Sequence, residues 1–411
     1  MVFGEPIEAR FSSLELWGPG GERIPVDSVY VARGLELVGV PGFDLSPGRY
    51  EIRWQVAGAD GHPIRGSIRF AVAATAAERQ GAADRSPEHH PPEAFPEQGK
   101  EFGVQSPGFV AIRWLTFLGL LMWFGVVGFT GFVLRTAIKK LGPLADEFAR
   151  LARRRALAIG LVASLLLILV APLRLGAQAF AARRSGEPLS VELLQSLLQT
   201  GWGGGWLLHS VGAVLAWFGI RAAQRGRTAA WFWIGLATVA LAFSPGFSGH
   251  AAATGLFPLT LLTDATHILS AGGWLGTLLV MLGAGLGAST ILPLDQRGGV
   301  VSALVRAFSP FALSCAAVTA ATGIFAAWVH LQTLSALWES PYGRVLLLKL
   351  GVLSIVAATG AYNWLVVKPR LDDPGTIPKL RISAGVELAV AVVVIAITAV
   401  LVATPPPGTG P

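Results

Sequence analysis

Two histidines and an aspartate lie between long apolar runs in the stretch from Ser248-Gly249-His250 to Trp274-Leu275-Gly276. Ionisable groups in such a place are expensive, so they need a partner, a metal or a water-filled cavity. Asp264 and His267 are three residues apart, which sets both on one face of a helix. His250 ends the preceding apolar run, and a short connection through Pro258 can bring it to the same membrane surface. His209 and His330 are the other histidines of the apolar region. Clustered imidazoles beside a carboxylate suit copper, zinc or iron. Taken singly, each histidine is also explained by a hydrogen bond to a neighbouring helix or by a place among the headgroups.

Other groups could join such a site. Met122 and Met281 are soft ligands of the kind Cu(I) takes, although methionine in an apolar span usually packs. Cys315 is softer still but reads as a small buried residue. Lys349, Asn363 and Glu387 fall inside apolar runs and must face the bundle interior. Lys349 and Glu387 sit at different expected depths, which leaves Asn363 as an alternative partner for the carboxylate. These three either brace the bundle or line an ion path. In the polar first part of the chain, Asp60 and His62 flank a glycine and can point at one cation, while Asp-Gly is equally a turn signal. His89 and His90 lie in Pro-rich sequence, where a solvated linker is the plainer reading.

The elements that must hold these groups follow from composition. The 411 residues are 53% hydrophobic and only 14% charged, with mean hydropathy +0.57. This places the chain among polytopic membrane proteins. The net charge of +7 does not point to nucleic acid, because Lys and Arg gather in alternate loops between apolar spans. One cysteine excludes a disulfide framework and any zinc site built on several cysteines.

Residues 1–74 read as a small all-β domain, an Ig-like antiparallel sandwich, with strands over Phe11 to Trp17, Ser28 to Leu37, Tyr50 to Val56 and Gly66 to Ala71. Ile52, Trp54 and Val56 face one way and Arg53 and Gln55 the other. Residues 75–106 read as a linker. Residues 107–404 hold eight apolar spans, near 108–135, 156–180, 203–222, 229–249, 259–286, 303–331, 343–367 and 383–403, each long enough at about 20 residues to cross a bilayer. Leu189–Thr200 reads as an interfacial helix, and residues 405–411 as a Pro-rich tail. The basic loops follow spans one, three, five and seven, so these loops are expected in the cytoplasm and the β domain and the C-terminus outside. Arg174, Arg183 and Arg184 are the main exception on the outer side. The four membrane histidines then fall in the outer half.

The segment from Gly48-Arg49-Tyr50 through Asp60-Gly61-His62 to Phe70 resembles the C-terminal part of the CopC copper-resistance family. The membrane part resembles the CopD family in Ser248-Gly249-His250, Asp264-Ala-Thr-His267, Trp274-Leu-Gly, Arg306-Ala-Phe-Ser309, Tyr342-Gly-Arg to Lys349, Asn363, Glu387 and the Pro405-Pro406 tail. The resemblance implies a Cu(II) site in the soluble domain and movement of copper across the membrane, described for such families as uptake. In CopC-like domains an N-terminal histidine completes the ligand set; Asp60 and His62 match the rest, while that histidine and the first strand are not in this sequence. The expectation is that the start lies upstream or that this soluble site is degenerate.

The expected protein is a copper-handling, non-enzymatic protein of a bacterial plasma membrane. His250, Asp264, His267 and His209 would form its outer site, with His330 near the rim. Copper, the lipid bilayer and an extracytoplasmic copper chaperone are its expected partners. A membrane protein holding b-type haem between His209 and His267 is a different reading. A copper sensor or assembly factor without transport is a third.

Overall fold

The computed structural model describes residues 1–3, 6–58, 63–72, 105–141, 146–183, 187–247, 256, 258–370 and 376–407. Asp60, His62, His89, His90, Arg184 and His250 lie outside these residues.

The β domain has two antiparallel sheets. One has the strand order β2-β1-β5-β6, from β1 (Ser13–Trp17), β2 (Arg23–Ile24), β5 (Gly48–Ala57) and β6 (Pro63–Val72). The other pairs β3 (Val26–Ala32) with β4 (Glu36–Pro41). Sequence alternation treats Ser28–Leu37 as one strand, but the structure breaks it into a hairpin. Arg33 and Gly34 both take positive φ, at 52° and 73°, and Leu35 N–H donates to the Ala32 carbonyl at 3.2 Å. Those dihedrals suit the tight turn whose twist matches paired strands. Ile52, Trp54 and Val56 do point inward, joining Ile7 and Leu37 in the core between the sheets.

Eight helices are long and apolar enough to cross a membrane, among the described residues. Spans one to four are Pro107–Leu141, Asp146–Ala182, Gly201–Gln224 and Ala230–Phe247. Spans five to eight are Leu259–Ile291, Gln296–Leu331, Pro341–Arg370 and Thr376–Leu401. The expected interfacial helix appears as Val191–Leu198, started by Ser190, whose hydroxyl accepts from Leu193 N–H at 3.2 Å.

Spans one and five form the tightest crossing. A Cβ on Gly276 would run into the Leu121 carbonyl, and one on Gly125 into the backbone of Gly276. Small residues let the two backbones touch, the usual way helices associate where lipid offers no hydrophobic driving force. Trp123, Phe129, Phe148, Leu167 and Met281 fill the surrounding core. Span five carries π-helical turns at Gly272–Gly276 and Met281–Leu286, and span seven one at Asn363–Val367. Such insertions re-aim side chains and are frequent at functional sites.

The β domain sits on the bundle. Phe11 and Ala57 pack with Ala179 and Ala182 at the end of span two and with Leu193 and Leu197 of the short helix. Gln55, on the strand face opposite the core, is only 5% exposed. Its amide donates to the carbonyls of Phe11 (3.3 Å) and Ala182 (3.1 Å), and Arg65 Nε donates to its Oε1 at 2.9 Å. Arg65 also reaches the Arg183 carbonyl at 3.3 Å. Two of the carbonyls that a helix end leaves without partners are thereby satisfied. This defines a β-domain end of the bundle, where odd spans begin and even spans finish.

Candidate metal site

Span five begins at the β-domain end, so Asp264 and His267 lie in its first turns, on one face. The ring of His267 is fixed by span six. Its Nδ1 lies 2.9 Å from the hydroxyl of Thr322. That hydroxyl also lies 2.7 Å from the Val318 carbonyl and 3.1 Å from the Thr319 carbonyl, so a ring protonated at Nδ1 finds an acceptor there. In that tautomer Nε2 keeps its lone pair, the form in which imidazole binds a metal. Gly323 lies beside the ring, where a Cβ would be in ordinary van der Waals contact, 3.4 Å from His267 Cε1. Below the ring, the hydroxyls of Ser270 and Thr319 meet at 2.9 Å and tie spans five and six together.

Span seven supplies the facing groups. Tyr342, Lys349, Val356 and Asn363 are separated by sevens and share one helix face. The charge of Asp264 reaches Tyr342, and that of Lys349 reaches His267. Tyr342 is 9% exposed, and its ring centroid is 6.0 Å from that of His330 at the end of span six. Asp264 forms no hydrogen bond or ion pair with any described residue, and neither does Lys349. No group of three or more His, Cys, Asp or Glu side chains gathers tightly enough to hold a metal, among the described residues. Gly246, near the end of span four, nevertheless abuts this place, its ideal Cβ lying 3.7 Å from Asp264 Cβ. The chain reaches His250 four residues later, outside the described region.

Glu387 and Asn363 meet deeper in the bundle. Asn363 Nδ2 donates to Glu387 Oε2 at 3.3 Å, and Ser383 donates to Asn363 Oδ1. Trp274, seven residues after His267, packs against the cluster of Leu275, Val356, Ala391 and Val394. Glu387 is 4% exposed and makes no ion pair with a described residue. Lys349 is fourteen residues up span seven from Asn363, about 21 Å of helix. Asn363, not Lys349, is therefore the carboxylate's partner.

His209 belongs elsewhere. It is fully buried, and its Nε2 bonds the Leu167 carbonyl of span two at 3.3 Å. One turn away Trp206 Nε1 donates to the Ala171 carbonyl at 2.8 Å. Arg174 continues the same face of span two, and its charge reaches His209. Met281 is 1% exposed in the main core and Met122 packs against the same core. Cys315 is a free thiol lying against Gly273.

Sequence reasoning missed Thr322, Trp274 and Tyr342 as parts of the site. The spacing of Tyr342 from Lys349, and of Trp274 from His267, carried a readable signal. Nothing in the sequence joins Thr322 to His267, because that contact depends on how spans five and six pack.

Comparisons with known proteins agree with this architecture. Family profiles match residues 1–73 (CopC domain), residues 104–257 (copper resistance protein D-like, N-terminal domain) and residues 302–401 (copper resistance protein D). The copper transport protein CutJ of Bacillus subtilis (strain 168) is 24% identical over 377 residues, 89% of this chain and 64% of the relative. The chain thus spans less than two thirds of that relative's length. No solved structure matches. The chain belongs to the copper-resistance proteins, joining a CopC domain to a CopD-type multi-pass membrane domain.

Proposed function

We propose that this protein moves copper inward across a bacterial plasma membrane and that Asp264 and His267 receive the ion, with His250 and His330 beside them. The observation that carries this reading is the pair on one face of span five: Asp264, with no ion-pair partner among the described residues, and His267, whose Nδ1 lies 2.9 Å from the Thr322 hydroxyl of span six. The bundle end bearing the β domain faces outward in this reading, because the basic loops lie at the other end. Asp60 and His62 of the β domain offer copper, as Cu(II), near the mouth, and an extracytoplasmic chaperone is its source.

Beyond His267, span five leads to Trp274 and from there to the Glu387–Asn363 pair. These groups line the deeper path, with Lys349 setting the local charge. His209 braces spans two and three. No step here is catalytic.

The test is copper flux into proteoliposomes containing the purified full chain, set beside metal analysis and a visible spectrum. Flux that is lost in His267→Ala and in Asp264→Asn supports the reading. Tight copper binding without flux would make the protein a sensor or assembly factor. Iron with a Soret band would replace copper by haem.

A further inference from the structure

At the end opposite the β domain, spans one, two and four line a half-open cavity of about 660 Å³. Its wall is built from two helix faces. Thr130, Leu134, Arg135, Ile138 and Lys139 come from span one, and Asp146, Arg150 and Arg153 from span two. Trp231, in the first turn of span four, closes the third side and lies 5.6 Å from the Arg153 guanidinium. Four cationic side chains thus face the cavity against one carboxylate. None of the five forms an ion pair with a described residue.

We propose that this cavity binds a phosphate-type anion, supplied by the headgroup of an anionic phospholipid. Arg135, Lys139, Arg150 and Arg153 would hold the phosphate, since guanidinium groups grip its oxygens in pairs. The positive-inside reading alone accounts for basic residues at this end, but not for their convergence on one hollow. Ile138 gives the same wall an apolar part, and Trp231 lies 41% exposed at its side. An acyl chain can run along that surface while the headgroup stays among the cations. Basic pockets between spans on the cytoplasmic side bind acidic headgroups in this way. Free inorganic phosphate shares the charge chemistry but has no use for the apolar wall.

The experiment uses the full chain in phosphatidylcholine nanodiscs containing a small fraction of phosphatidylglycerol, with retained lipid counted by native mass spectrometry. Arg135→Gln/Arg150→Gln is compared with Arg225→Gln/Arg227→Gln, which removes two charges at the same end but outside the cavity. The first pair is expected to weaken phosphatidylglycerol retention roughly 10- to 30-fold, from about 1 kcal/mol per basic residue, and the second to leave it nearly unchanged. Millimolar phosphate is added in a parallel arm. Lipid that stays bound supports the headgroup as the source. Lipid displaced by phosphate keeps the anion site and makes free phosphate its ligand. Equal losses in the two variants, or retention of phosphatidylcholine equal to phosphatidylglycerol, would overturn the proposal, because basic residues anywhere at this end would then suffice.

Discussion

The chemistry rests on which nitrogen of His267 stays bare. The Thr322 hydroxyl, 2.9 Å from Nδ1 and 2.7 Å from the Val318 carbonyl, is placed to accept from Nδ1 and leave Nε2 bare. Replacing Thr322 by Val keeps the volume and removes the acceptor. The ring loses its fixed orientation and tautomer, so copper affinity should fall by roughly 10- to 100-fold, the usual effect of losing a ligand's hydrogen-bond partner. An equilibrium copper titration of the purified variant measures it, and an unchanged affinity would remove Thr322 from the site. His209→Ala is the matched control and should leave that titration in place, since its ring is fully buried and bonded to the Leu167 carbonyl of span two. The placement of Asp264 and His267 in the first turns of one apolar helix was legible from the sequence, because spacing and apolar surroundings are local properties. Their partners were not, because Thr322 lies 55 residues away on another span. The contact of His209 with the Leu167 carbonyl was equally hidden, because an expected depth says nothing about which helix a ring touches.

Helices and strands were read with different success. The apolar spans appear close to their expected positions, since a run of about 20 apolar residues has few alternatives in a bilayer. The spans extend further than hydropathy alone requires; span two, for example, starts at Asp146. The strand expected over Ser28–Leu37 failed for a local reason, the paired positive φ of Arg33 and Gly34, of which only the glycine announces itself in sequence. Close contact between spans one and five was not legible either, since glycine is common throughout the chain and only the structure shows which ones touch. Gly276→Val would push a branched side chain into the Leu121 carbonyl. Overpacking of this kind costs about 1–3 kcal/mol or more. The thermal midpoint in detergent should therefore drop by several degrees, whereas Gly235→Ala, with open space around it, should not move it. Equal midpoints for the two variants would contradict the close crossing.

For the whole molecule, the informative side chain is Gln55. Alternation along β5 sets it on the face away from the core, where a polar residue needs no explanation. It is nevertheless buried, because the bundle covers that face. A strand pattern reports one buried surface and cannot announce a second supplied by another part of the chain. Gln55→Ala removes the donor to Ala182 and the acceptor of Arg65, a loss of about 1–3 kcal/mol where the partners stay buried. Hydrogen exchange should quicken at the end of span two and in the helix Val191–Leu198, with the centre of span two unchanged. Exchange unaltered at both places would mean that the β domain is not held there.

The glycine crossing also has a mechanical meaning. Backbones that touch without side chains between them have nothing to act as bearings, so they cannot roll or slide past each other without coming apart. Spans one and five therefore behave as a single beam. Span five carries Asp264 and His267, and span one packs at its start against span two, through Phe109, Ala177 and Ala181, while span two holds the β domain. The receiving residues and the β domain are thus bolted to one frame. In the proposed transport the ion would therefore enter at residues that do not shift relative to the β domain, and any swing would fall to spans outside this frame.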